Sequence, residues 1–238
     1  MRSELSIIIP CYNEAENIPI LLEKFKQVIS ESKIKDIELI LVDNNSKDNT
    51  KEVLKEILSK YKFAISVFQP IQGYGAAVYK GIELAKGEFI CTTHADLQTD
   101  PFDVIKAYNL IKEQDNNKEI FIKGNRKERP FFDKFFESGM SIFESFILRT
   151  YLYDINAQPN LFHNSFLKLM KNPPEDFSFD LYIYYAAKSN NYNIIRFPVL
   201  FPKRIHGESA WNTTLQSKFK FIKRTLDYSF KFKKSLKN

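Results

Sequence analysis

The chain has 238 residues, 44% of them hydrophobic, which suffices for one large α/β domain or two small ones. Seven glycines and the lack of repeats exclude fibrous and low-complexity classes, and two cysteines, Cys11 and Cys91, each inside an apolar run, exclude a disulfide framework and read as reduced core thiols of a cytosolic protein. The net charge of +6 is uneven: residues 203–238 carry 10 Lys/Arg against 2 Asp/Glu, while the first 202 carry 25 against 27, so the basic character belongs to the C-terminus.

The first half alternates two periodicities. Residues 5–10 (LSIIIP) form a short apolar run stopped by Pro10, and residues 17–32 carry helical spacing in Ile18, Leu21, Leu22, Phe25, Val28 and Ile29. A second apolar run spans 37–43, followed by a helix signal over 46–61 with a Ser/Asp start. A third strand is expected at 63–68, a Gly-bounded helix at 73–87, a fourth strand at 88–94, a helix at 100–114 and a fifth strand at 119–124. Strands alternating with helices imply βαβ units and a mostly parallel sheet, a Rossmann-like α/β fold. The start MRSELSIIIPCYNE is too short in its apolar part for a signal peptide, and no run reaches the roughly 18 apolar residues that span a bilayer. The chain is therefore expected not to cross a membrane by itself.

In such sheets ligands bind outside the carboxyl ends of the strands. Those ends carry Tyr12, Asn13 and Glu14, then Asp43, then His94, Asp96 and Gln98, then Arg126. Three carboxylates brought to one sheet edge repel unless a cation or hydrogen-bond donors sit between them. Asp96 thus reads as a residue that holds something. Asp48, Asn49 and Asp100 read as helix caps, and Asp43 is open between a cap and a ligand contact. The GYGAA turn is neither G-x-G-x-x-G nor a P-loop, so helix packing is its expected use. His94, His163 and His206 lack zinc spacing.

SIIIPCYNEAENI, ELILVDNNSKDNT, GYGAAVYKGIELAKGEFICTTHADLQTDP and IFIKGNR occur in that order, followed by FSFDLYIYYAAKSNNYNIIRFPVLFPKRIHGESAW. Over residues 5–211 this series closely resembles family 2 glycosyltransferases of the GT-A fold, nearest to the dolichyl-phosphate mannose synthase and polyprenyl-phosphate sugar transferase branch. The resemblance implies that Pro10, Tyr12 and Glu14 bind the nucleotide and that Asp43 meets its base or ribose. Gln98 would lie near the phosphates, and Arg126 and Arg204 would face them. Asp96 matches the metal-binding carboxylate of an Asp-x-Asp motif that here reads His94-Ala95-Asp96, so Mg²⁺ or Mn²⁺ is the implied cofactor.

The chain departs from that pattern in three places: Asn44 stands for a second Asp, Tyr74 for the lysine of a Gly-Lys-Gly turn, and His94 for an acidic residue. Either His94 shares the metal with Asp96 or it hydrogen-bonds the diphosphate. One carboxylate suffices for Mg²⁺ when phosphates supply other oxygens, and imidazole suits Mn²⁺. Asp154, Gln158 and Asp180 are the acceptor-side candidates, so the catalytic set is Asp96, Asp180, Gln158 and Arg204.

The implied reaction is inverting transfer of a sugar from a nucleotide diphosphate sugar to a polyprenyl phosphate at the cytoplasmic membrane face. The alternatives are a glycan hydroxyl acceptor, with Asp180 as base, or a non-catalytic nucleotide-sugar-binding membrane adaptor. No nucleic-acid partner is expected. Two amphipathic helices, 131–152 within a domain of residues 1–210 and a basic one in the segment 211–238, are expected to dock on a membrane. The first carries Phe132, Phe135, Phe136, Met140, Phe143, Phe146 and Ile147; the second carries Trp211, Leu215, Phe219, Ile222, Leu226 and Phe230.

Overall fold

The computed structural model of the protein describes residues 3–128, 131–202, 204 and 215–235; for 131–136 and 215–222 it describes the backbone. Seven strands form one sheet in the order β3-β2-β1-β4-β6-β5-β7. They are β1 (Leu5–Cys11), β2 (Ile37–Asp43), β3 (Ala64–Phe68), β4 (Phe89–Thr92), β5 (Ile120–Lys127), β6 (Asn160–His163) and β7 (Asn193–Leu200). All neighbours pair parallel except β6, which runs antiparallel to both β4 and β5.

The continuous apolar run of β1 follows from burial on both sheet faces. Ile7 and Ile9 pack on one side with Leu39, Leu41, Phe89 and the helices α1 (Asn17–Glu31) and α4 (Pro101–Lys112). Ile8 packs on the other with Ile40, Val42, Phe121, Phe162 and the helices α3 (Tyr74–Leu84) and α6 (Phe179–Ser189). Cys11 and Cys91 are fully buried in the first layer, where burial pushes both thiols up, as a core role requires.

Helices α2 (Thr50–Ile57), α5 (Phe131–Leu148) and α7 (Leu215–Ser235) complete the fold. The ends differ modestly from the sequence reading. β4 stops at Thr92: Thr93 N still donates to Ile8 O of β1, after which the chain turns, with Leu97 at φ 60°. α5 ends at Leu148. α5 and α7 are joined by Phe143 against Phe230, ring centroids 6.1 Å apart, and α7 returns to α6 through Phe232 against Tyr182 and Tyr185. Ile147 and Leu148 are buried with Leu181 and Tyr184, whereas Ile142 and Phe146 are 71% and 84% exposed, so the aromatic stripe of α5 divides between the interior and the surface. The side chains of Phe132, Phe135, Phe136, Leu215, Phe219 and Ile222, and Trp211 altogether, lie outside the described residues.

Candidate nucleotide-sugar site

The parallel strands β1, β2 and β4 end side by side, with Cys11 paired to Asp43 and Ile8 to Thr92. Their following loops make the site. Asp96 turns the chain with one oxygen: Oδ1 accepts from Gln98 N at 3.1 Å. Its Oδ2 lies 2.8 Å from an Arg204 guanidinium nitrogen. Arg204 Nε also donates to Gln98 Oε1 at 3.2 Å, and Gln98 Nε2 donates to Pro202 O at 2.7 Å, which straps the Arg204 segment onto the Asp96 turn. Asp96 therefore both shapes the loop and pairs with the Arg204 cation.

On the β1 side, Glu14 Oε2 accepts from Asn17 Nδ2 at 2.6 Å, and Glu14 N donates to Thr50 Oγ1 at 2.8 Å. Burial pushes the Glu14 carboxyl up to about 7, with Asp96 and Asp48 adding and Asn17 and Arg204 opposing. Glu14, Asn17 and Asp48 line a cleft of about 360 Å³. Asp43, almost fully buried, caps the next loop by accepting from Ser46 N at 3.0 Å. Asn44 Oδ1 accepts from Gly73 N at 3.1 Å, so the residue in place of a second Asp ties β2 to the start of α3. Pro10 and Tyr12 are partly buried at the same edge. Asp48 bonds Ala15 N and Thr50 N, and Asp100 bonds Phe102 N, as caps do; Asn49 holds the α2 N-cap position without a side-chain bond.

The Gly-Tyr-Gly turn serves packing. A Cβ on Gly75 would sit 2.0 Å from Pro174 O, so only glycine lets α3 start against the 174–176 loop. Tyr74 stacks on Phe177, lies 6.0 Å from His94 between ring centroids, and donates its hydroxyl to Asp180 Oδ1 at 3.3 Å. Burial lowers the His94 pKa, and Arg204 and Arg126 add to that, while Asp96 and Asp180 oppose. The balance favours the neutral imidazole.

The structure brings Gln158 and Asp180 together, at 3.0 Å, but inside the protein: Gln158 has no exposed surface. Arg126 is held elsewhere. Its Nε donates to Asp154 Oδ1 at 2.8 Å, its terminal nitrogen pairs with Asp154 and Glu137, and its side chain is 6% exposed. Asp154, nominated for the acceptor, is committed to Arg126 and lies 3.5 Å from Arg196. Sequence reasoning missed Lys123, which is fully buried and donates to Asn160 Oδ1 at 2.7 Å. A lone cation inside the apolar run of β5 was the available signal.

A metal has a narrow donor set. No cluster of three or more His, Cys, Asp or Glu able to hold an ion occurs among the described residues. Asp96 and the neutral His94 fit a divalent ion shared with phosphate oxygens and do not fit an all-protein cage.

A mostly parallel sheet whose strand ends carry a carboxylate-arginine pair beside an acidic cleft defines an α/β protein with a candidate ligand site at the carboxyl edge of its sheet. The profile of "Glycosyl transferase family 2" matches residues 6–167, and the chain belongs to that family. It is 32% identical over 142 residues to a dolichol-phosphate mannosyltransferase of Pyrococcus furiosus, covering 57% of this chain and 39% of that protein. It is 30% identical over 128 residues to an undecaprenyl-phosphate 4-deoxy-4-formamido-L-arabinose transferase of Pseudomonas fluorescens, covering 52% of this chain and 36% of that one. The chain spans half or less of the length of such curated relatives. Its fold matches glucosyl-3-phosphoglycerate synthase of Mycobacterium tuberculosis, solved with Mn²⁺, UDP and product, at TM-score 0.72 and 13% identity, covering 98% of this chain and 80% of that one.

Proposed function

We propose that the protein is an inverting glycosyltransferase that moves a sugar from a nucleotide diphosphate sugar to a polyprenyl phosphate at a membrane surface. The observation that carries this reading is the Asp96-Arg204-Gln98 cluster at the carboxyl edge of the parallel sheet. Diphosphate is a poor guest for an apolar site and demands cations and hydrogen-bond donors; Arg204 supplies both. The acidic cleft at Glu14, Asn17 and Asp48 lies beside it, and Asp43 ends the neighbouring strand, where a base and ribose would bind. A bound Mg²⁺ or Mn²⁺, held by Asp96 with or without His94, would neutralise charge on the leaving diphosphate.

In the transfer, a lipid phosphate oxygen forms a bond to the anomeric carbon from the face opposite the nucleotide. The bond from that carbon to the diphosphate oxygen breaks, and its electron pair leaves with the nucleoside diphosphate. An acceptor that is already an anion needs no general base, which agrees with Asp154 being held by Arg126 and Gln158 being fully enclosed. Relatives whose names specify dolichol-phosphate and undecaprenyl-phosphate transfer support the acceptor class. Exposed Ile142 and Phe146 on α5 and exposed Phe230, Lys223, Arg224, Lys231 and Lys234 on α7 support contact with an anionic bilayer. Among the described residues no helix is long and apolar enough to cross a membrane.

Calorimetric titration of UDP, GDP and dTDP with and without Mn²⁺ tests the donor side. One of them should bind, more tightly with Mn²⁺, and Asp96→Asn should remove the Mn²⁺ effect. A lack of binding by all three would refute the reading.

A further inference from the structure

Lys123 is a fully buried lysine in the middle of β5. Its ammonium donates to Ala157 O at 2.8 Å and to Asn160 Oδ1 at 2.7 Å, and it lies 5.3 Å from the centroid of the Tyr184 ring. A lysine ammonium donates and cannot accept. The Asn160 amide is therefore turned with its oxygen to Lys123 and its NH₂ away. That NH₂ reaches Gln158 Oε1 at 3.0 Å and Asp180 Oδ1 at 3.2 Å. Gln158 Oε1 also accepts from Thr92 Oγ1 and from Asn160 N, each at 3.1 Å. The Gln158 NH₂ is then left to reach the Tyr74 hydroxyl at 2.9 Å and Asp180 Oδ1 at 3.0 Å. Tyr74, having accepted that bond, gives its own proton to Asp180 Oδ1.

The buried cation thus sets the direction of the Asn160 amide, while the backbone N–H of Asn160 fixes that of Gln158. All three donated bonds end on Oδ1 of Asp180, and Oδ2 receives none among the described residues. Three donors on one carboxylate oxygen favour the anion.

We propose that Lys123 is a positioning residue: by orienting Asn160 and placing its own charge beside Asp180, it holds Asp180 as a carboxylate whose Oδ2 accepts a hydroxyl of the transferred sugar. The proposal rests on the nucleotide-sugar reading above and adds the residue that prepares the sugar contact. Burial raises the Asp180 carboxyl overall, and Lys123 opposes this most strongly, with the Tyr74 and Gln158 hydrogen bonds helping. Lys123 is itself pushed down to about 7 by burial and drawn up by Asp180, with Arg196 and Arg126 opposing and Asp154 assisting. Burial thus favours the neutral form of both groups, and each charge opposes that shift in the other.

Calorimetry of wild type, Lys123→Met and Asp180→Asn with Mn²⁺ compares UDP with UDP-glucose and GDP with GDP-mannose. Both variants should keep the affinity for the nucleoside diphosphate and lose about tenfold or more for the sugar nucleotide that wild type binds. Unchanged sugar-nucleotide affinity in a folded Lys123→Met protein would overturn the proposal. The infrared difference spectrum of wild type minus Asp180→Asn at neutral pH should show an ionised carboxylate, and a protonated carboxyl band would overturn it. That spectrum needs no nucleotide, so it still decides the matter if Lys123→Met does not fold. It also separates failure of this proposal from failure of the transferase reading, in which no nucleotide binds at all.

Discussion

Replacing Asp96 by Asn keeps an oxygen for the Gln98 N turn bond but removes the charge that pairs with Arg204. Asp96→Asn should therefore fold normally and lose Mn²⁺-dependent turnover; retained turnover would contradict the assignment. Arg204→Ala removes a charged partner whose side chain is 28% exposed, so the loss should be ~1.5–3 kcal/mol of diphosphate binding. Lys203→Ala, at a position outside the described residues, should cost far less, and equal effects on the diphosphate Kd would contradict the role of Arg204. At this scale Asp96 and Gln98 were legible as strand-end positions, which converge in a parallel sheet, whereas Arg204 came only from the family resemblance; the structure brings the three together. Lys123 stayed hidden because a lysine in a strand reads as a solvent-facing residue, and only the network with Asn160 and Asp180 gives it a reason to be buried. Arg126 shows the opposite limit: its strand-end position was legible, but its partners Asp154 and Glu137 come from loops and helices that no spacing rule brings together.

At the scale of elements, the five strands and four helices of the first half followed from apolar runs alternating with helical spacing, each bounded by turn or cap residues. β6 is only four residues, too short for alternation to register, and it inserts antiparallel between β4 and β5. β7 contains Pro198, which argues against a central strand; it is tolerated because β7 is an edge. The contact between α5 and α7 carries its own prediction. Glu144 is fully buried, and among the described residues neither of its oxygens has a well-formed hydrogen bond; the Ser229 hydroxyl of α7, bonded to Thr225 O, offsets the burial only in part. Burial pushes the carboxyl up from 4.5 to about 7. Between those values the folded state holds a proton that the unfolded chain has released, so stability falls as pH rises through the window. Glu144→Gln should raise Tm above neutral pH by the equivalent of roughly 1–3 kcal/mol and leave it nearly unchanged below pH ~4.5, as thermal unfolding across pH would show. A gain equal at both ends would contradict the buried-carboxylate account. On the outer face, Ile142→Ser combined with Phe146→Ser should weaken flotation with anionic liposomes, and added salt should weaken it further, each Lys or Arg near the surface contributing ~1 kcal/mol. Flotation indifferent to both would remove the membrane contact from the account.

For the whole molecule, the sheet gathers the Asp96-Arg204 cluster at the edge of β1, β2 and β4, the Lys123 network lies between β5 and α6, and α5 with α7 presents exposed apolar and basic groups. In the proposed function these three regions serve the nucleotide, the sugar and the lipid surface in turn. The most direct measurement is transfer of labelled sugar from UDP-, GDP- and dTDP-sugars to polyprenyl monophosphate in anionic vesicles with Mn²⁺. The account predicts label in the lipid phase matched by released nucleoside diphosphate, abolished by chelation and by Asp96→Asn. Nucleotide sugars that bind but pass no label to the lipid, or label that passes equally well with Asp96→Asn, would contradict it.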